Sequence, residues 1–370
     1  MSTWPLMSIV FITFIPISIM LTFIPFLTRR TESFGVSLTE EIHALPENQR
    51  LRKQYSFVMG MLCGLLSLSI ILMTAILEPE PWATALIVHL VALVIISFGV
   101  YLKYHFTMKR LKKERHWGSP TFTQRVVVDT AFHTKKVTQS AWWFLPQIIM
   151  IFLTAATGVF FYDRFPELIV MHYNLQGHAD RFADKSYQAV LWPVAIQAVM
   201  VATMAFAHLT IARSKQQVDA ADPEASLQRN IIFRRRWSTF MFILGFLMSV
   251  LFYFMQLTMM LELDPIMMTI IPFIMTGIIL IYAVWLSFST GQGGSRIKIN
   301  GNSTPTGQTN QDDDQFWRLG QFYFNRNDPA YFVEKRFGVG WTINLARPLS
   351  WIILLAIILL PVVLSFLLVP

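Results

Sequence analysis

Of 370 residues, 54% are apolar and only 14% charged, with a formal net charge of +8 and a single cysteine. A soluble chain carries roughly a quarter charged residues, so an ordinary water-soluble fold is excluded, and one cysteine excludes an intramolecular disulfide. The positive charge takes on meaning only once its positions are known.

The apolar residues fall in eight runs, each long enough to cross a hydrocarbon core of roughly 30 Å as a helix. They are Trp4–Leu27, Tyr55–Leu77, Trp82–Tyr101, Ala141–Tyr162, Tyr187–Ile211, Trp237–Leu261, Ile266–Phe288 and Leu349–Val369. Many begin or end on Trp or Tyr, whose rings favour the headgroup level. The runs are continuously apolar rather than alternating, which rules out barrel strands. The expected fold is all-α and polytopic, with about eight transmembrane helices in the cell membrane. The first run has no basic start and no small-x-small cleavage site, so it reads as a retained helix.

With the N-terminus outside, the inner segments are 29–54, 103–140, 213–236 and 290–348, and they hold 27 of the 30 Lys and Arg. Only Arg164, Arg181 and Lys185 remain outside. The positive-inside bias therefore puts both termini on the outer side. Clusters such as Lys109–Lys113 and Arg234–Arg236 abut helix ends and read as topology signals that attract anionic lipid. No nucleic-acid partner is implied.

In chain order, residues 1–136 form an N-terminal membrane region with three helices and basic inner loops. A helix start is expected at Ser37, with Glu40 at capping-box spacing. Cys63 lies in mid-membrane between Gly60 and Gly64, a small-xxx-small pair that lets another helix approach. His89 and His208 are nearly the only ionisable residues within the runs. Each either faces a water-filled path or bonds to a neighbouring helix. Val126–Val137 is amphipathic and suits the interface.

Residues 137–289 form a second membrane domain whose outer loop, 163–186, is the longest on its side. It packs His172, Asn174, His178, Asp180, Arg181, Asp184 and Lys185 into fourteen residues. His172 and Asn174, two apart, share one face of an extended strand, and Gly177 supplies a bend that returns His178 and Asp180 towards them. The candidate ligand site is His172, Asn174, Gly177, His178, Asp180, Arg181 and Lys185. It suits a peptide backbone or a carboxylate. Zinc on His172, His178 and Asp180 is a second reading, opposed by the neighbouring Arg181 and Lys185. A third is structural, with Asn174, Asp180 and Lys185 tying the loop to its helices.

Residues 290–311 are a polar linker rich in Gly, Ser, Thr, Asn and Gln. Residues 312–348 form an aromatic module on the inner side, followed by the last helix within 349–370. Gln321–Phe324 and Tyr331–Val333 are β-prone and separated by the turn signal Asn325–Pro329, predicting a small hairpin. Asp312–Asp314 lack Ca²⁺-loop spacing and read as a solvated start to the module. Trp317, Phe322, Tyr323, Phe324, Tyr331, Phe332 and Trp341 are candidates for binding a cytoplasmic regulator or another membrane protein.

No HExxH, GxxxxGK[ST] or GxSxG motif and no intramembrane aspartate pair occurs. The expectation is a non-enzymatic protein with no cofactor and no resident metal. A transporter or permease component, and a metal-dependent membrane enzyme using the outer cluster, are the alternatives.

The outer loop resembles the signature of a bacterial membrane domain of unassigned function, found in the immunity family against the sporulation-delaying peptide toxin of bacilli. Its pattern, P-x-x-[IV]-P-x-H-[WF]-N-x-x-G-x-x-D-[GR]-[WYF]-G-S-K, is matched by Pro166, His172, Asn174, Gly177, Asp180, Arg181, Phe182 and Lys185. Val170, Tyr173, Ala183 and Asp184 depart from it. The stretch FGVSLTEEIHALPENQRLRKQY resembles the loop after the first helix in larger members, and 312–348 resembles a second module that accompanies them. The resemblance implies recognition of an antimicrobial peptide outside and coupling to a regulator inside.

Overall fold

The computed structural model describes residues 4–117, 136–174, 179–219, 222–261, 265–299 and 312–368. Among these, seven helices are long and apolar enough to cross a membrane, and they coincide with the first seven predicted runs. The eighth run forms a helix of 21 residues, α10 (Pro348–Leu368). This is a multi-pass membrane protein.

The first crossing is built in three pieces: α1 (Trp4–Ile9), a π-helical turn over Val10–Phe14, and α2 (Ile15–Phe23). Pro16 accounts for the break, because it lacks an N–H and its ring clashes with the carbonyl four residues back. A two-residue hairpin, β1 (Glu32–Ser33) and β2 (Val36–Ser37), follows. Phe34 and Gly35 turn it with φ of 50° and 76°, the left-handed pair that tight hairpins use.

Next come α3 (Glu40–Ala44), α4 (Pro46–Met73), α5 (Pro79–Glu114) and α6 (Leu145–Phe160). The cap of α3 is Thr39, whose hydroxyl accepts from the Ile42 amide at 3.3 Å, and not Ser37. Ser37 is engaged elsewhere, its amide donating to Asp314 at 2.9 Å and its hydroxyl accepting from Arg336 at 2.8 Å. Gly60 does admit a neighbour, since a Cβ there would sit 3.3 Å from Thr22 on the first crossing, whereas Gly64 faces open space.

The strands β3 (Leu168–Tyr173) and β4 (Ala179–Asp184) form the hairpin of loop 163–186. The chain continues through α7 (Tyr187–Arg213), α8 (Pro223–Leu261) and α9 (Pro265–Thr290). The 39 residues of α8 span about 58 Å at 1.5 Å per residue, so its basic first turns stand clear of the hydrocarbon. The aromatic module is two small hairpins rather than one. β5 (Trp317–Arg318) pairs with β6 (Phe322–Tyr323), and β7 (Phe332–Glu334) pairs with β8 (Trp341–Ile343). The two β-prone segments are strands as predicted, but each takes the neighbour nearest in sequence.

Helices α6, α7 and α8 pack on one another through three buried glutamines. Gln147 Nε2 donates to the Phe242 carbonyl at 2.9 Å, Gln197 to Ser249 at 3.0 Å and Gln256 to Val190 at 3.0 Å. Gly158 makes room for the last, since a Cβ there would lie 2.8 Å from the Gln256 amide. The first crossing packs with α4, α4 with α5, and α9 joins the two groups by touching both the first crossing and α8. His89 is a helix-to-helix tie, with Nδ1 2.7 Å from the Ala85 carbonyl and Nε2 3.2 Å from the Ser69 hydroxyl of α4. His208 packs against the Phe144 and Phe242 rings.

Described residues of all four segments predicted to lie inside meet at one end of this bundle, and β3 and β4 pack against the opposite end of α7. Most of Val126–Val137 and of the linker (residues 126–135 and 300–311) lies outside the described residues.

Candidate functional site

The hairpin is anchored at its base and open above it. Phe165 and Ile169 bury themselves against Ala189 and Val190 of α7, and Ser186 caps α7 by accepting from the Ala189 amide at 3.1 Å. Lys185 belongs to this base. Its amide donates to the Glu167 carbonyl at 2.8 Å, and its ammonium lies 5.2 Å from the Tyr162 ring centre. Tyr162 in turn stacks on Tyr187 at 4.2 Å.

Further up, the ladder breaks register between Val170 and His172, and such irregularities re-aim side chains. His172 Nδ1 comes within 2.6 Å of Asp180 Oδ1, with the two side chains 58% and 43% exposed. Arg181 pairs with His172 in the ladder and is exposed, as is Phe182. Asn174 follows β3 directly. Gly177 and His178 lie outside the described residues. Among the described residues, no three His, Cys, Asp or Glu side chains converge as a metal would require.

The opposite face holds a site that sequence reasoning missed. Glu334 of β7, fully buried, receives Arg29, Arg234 and Asn230 from two different segments. Arg234 also donates to the Ile211 and Ser214 carbonyls at the end of α7, at 2.9 and 3.1 Å. Two residues on, Arg336 pairs with Asp313 and Asp314 and donates to the Gly35 carbonyl at 3.2 Å. Lys112 of α5 reaches Asp312 and Asp314 at 2.6 and 2.7 Å. The aspartate triplet is therefore a docking element and not a solvated start. The Lys215 amide donates to the Phe332 carbonyl at 2.8 Å, and its ammonium meets Asp328 at 2.6 Å.

Burial pushes the Glu32 carboxyl up to about 7, although Arg29 and Arg336 pull the other way. Those two guanidiniums are already committed to Glu334 and to Asp313 and Asp314, and Glu32 Oε2 finds no donor among the described residues. Burial also pushes Asp314 upward, but Arg336 and Lys112 outweigh it and hold that carboxyl at about 2.

Most of the module's aromatic rings turn inward. Trp317 and Tyr323 are buried and 5.0 Å apart. Trp341 lies 5.2 Å from Phe233, Phe332 lies 6.0 Å from Phe206 of α7, and Phe322 lies 6.4 Å from Phe98 of α5. Phe324 sits beneath Arg318 at 4.6 Å. Phe322 and Tyr331 keep about two-fifths of their surface exposed.

Two stretches of the chain match families. Residues 149–196, the hairpin with its flanking helix segments, match a domain of unknown function, DUF1648. Residues 326–351, which include Glu334, Arg336 and Asn344, match a family of unknown function, DUF5808. No curated protein and no solved structure matches the chain. The chain is thus a multi-pass membrane protein with a DUF1648-like region carrying the exposed hairpin and a DUF5808-like region supplying Glu334 and Arg336 to the buried ion-pair network, the clasp, at the opposite face.

Proposed function

We propose that this is a non-enzymatic membrane protein of the peptide-immunity or envelope-stress type. In this reading the hairpin face is the outer one, as the charge bias requires. The hairpin recognises an amphipathic peptide through His172, Asn174, Asp180 and Arg181, and the clasp presents the result to a cytoplasmic partner. The supporting observation is that α7 touches both ends: Ala189 and Val190 pack under the hairpin, while Lys215, just past its end, is bonded to the module.

The test is protection. The full chain, expressed in a sensitive bacterium, is expected to raise survival against at least one member of a panel of membrane-active peptides. The double variant His172→Ala with Asn174→Ala is expected to lose that protection while still reaching the membrane. No protection by the wild type, or equal protection by the variant, overturns the reading. Cysteines at Arg181 and Arg326, with Cys63→Ser, check the orientation. An impermeant thiol reagent should label the first in intact cells and spare the second.

A further inference from the structure

Helices α4 and α5 pack side by side, and residues of both line an open groove of about 780 Å³ at the clasp end. Its polar part is lined by Arg50 and Lys53 of α4 and Lys103 of α5, with no acidic side chain in the lining. None of these three forms an ion pair among the described residues, and all three are exposed. The neighbouring Glu47 is paired with Arg115.

Below the cations the lining turns apolar. Phe57, 73% exposed, lies one further turn down the same face of α4 as Arg50 and Lys53. Seven residues separate Arg50 from Phe57, about 10 Å along a helix, enough to cross the interfacial layer on one side of a bilayer. The stripe continues through Met61, Leu65 and Leu68, each more than half exposed. On α5, one turn below Lys103, Gly99 has open space where a side chain would stand.

A cationic cup without acids, opening onto an apolar furrow at the membrane boundary, has the chemistry of one lipid class. We infer that this groove binds an anionic phospholipid, its phosphate held by Arg50, Lys53 and Lys103 and one acyl chain lying along Phe57 beside Gly99. Generic attraction of a basic face to anionic lipid needs no such groove. The site is independent of what the hairpin binds.

The test uses the purified full chain in neutral detergent, titrated with phosphatidylglycerol, phosphatidylcholine or inorganic phosphate. Lipid retention is read by native mass spectrometry and stability by thermal melting. Phosphatidylglycerol is expected to be retained and to raise the melting temperature, and phosphatidylcholine and phosphate are not. Removing basic residues at a membrane surface weakens such binding about fivefold each, so Arg50→Gln with Lys53→Gln and Lys103→Gln should lose it. Lys103→Gln alone, a milder change, should show a single fivefold step. Phe57→Ala keeps every charge and should still shorten retention. The inference is overturned if phosphatidylcholine is held equally, if phosphate alone reproduces the stabilisation, or if Lys109→Gln with Arg110→Gln and Lys113→Gln weakens binding as much.

Discussion

The two faces of this protein use polar residues in opposite ways. On the hairpin, His172 and Asp180 meet one another at the surface as an exposed pair. In the clasp, Glu334 and Arg336 are almost wholly buried, and each is held by groups from distant segments. Buried charges of that kind are committed to the fold, because removing one strands its partner without water. Exposed pairs contribute little to stability and stay available to a ligand. The richer network is therefore the scaffold, and the sparser one is the better candidate for recognition.

The contrast is tested most severely at Glu334. Glu334→Ala removes the buried carboxylate that Arg29 and Arg234 share, and loss of one partner of a buried pair costs about 3–5 kcal/mol. The purified variant should melt far below the wild type or fail to accumulate, and an unchanged melting temperature would break the distinction.

A smaller effect is expected at the turn that docks under the module. Gly35→Ala places a Cβ 2.5 Å from the Gly320 carbonyl at a φ of +76°. Overpacking of this sort costs about 1–3 kcal/mol, read in the same melt. By comparison, Asp180→Asn should change stability by less than about 1 kcal/mol, while altering peptide protection.

Acidity sharpens the comparison further. Glu32, pushed up to about 7 from an ordinary 4.5, binds its proton more tightly in the folded chain. Its contribution is therefore best below pH 4.5 and is lost as pH rises through 7. Burial, with Arg52 and Arg30 nearby, holds His43 down at about 4, which favours folding above pH 6.5 and opposes it as pH falls towards 4. Because the two windows overlap, the informative quantity is a difference. Glu32→Gln should be more stable than the wild type at pH 8, with the gain gone near pH 4.5. A gain that persists at pH 4.5 would contradict the assignment.

The crossings were legible because bilayer thickness fixes the length of an apolar run, and the hairpin because His, Asn and Gly stand at turn spacing in a loop. The clasp was not. Ser37 and Asp314 are 277 positions apart, and Arg336 and Gly35 are 301 apart, so no local pattern pairs them. Lys112 and Arg234 also fit the positive-inside pattern by position alone, which hides their part as buried partners. The Ser37 cap failed for the same reason, since a distant aspartate and arginine took the groups that a local helix would have used.

The carbonyls and amide that bind the three glutamine rungs to α8 belong to residues 242, 249 and 256. They recur every seven residues, so they share one side of that helix. A sliding α8 would have to release all three at once, in a medium that offers no water to replace them. Axial slippage between α8 and its neighbours is thus opposed as a single all-or-none step. The hairpin base on α7 and Lys215 beyond its other end are thereby held at a fixed axial spacing against α8.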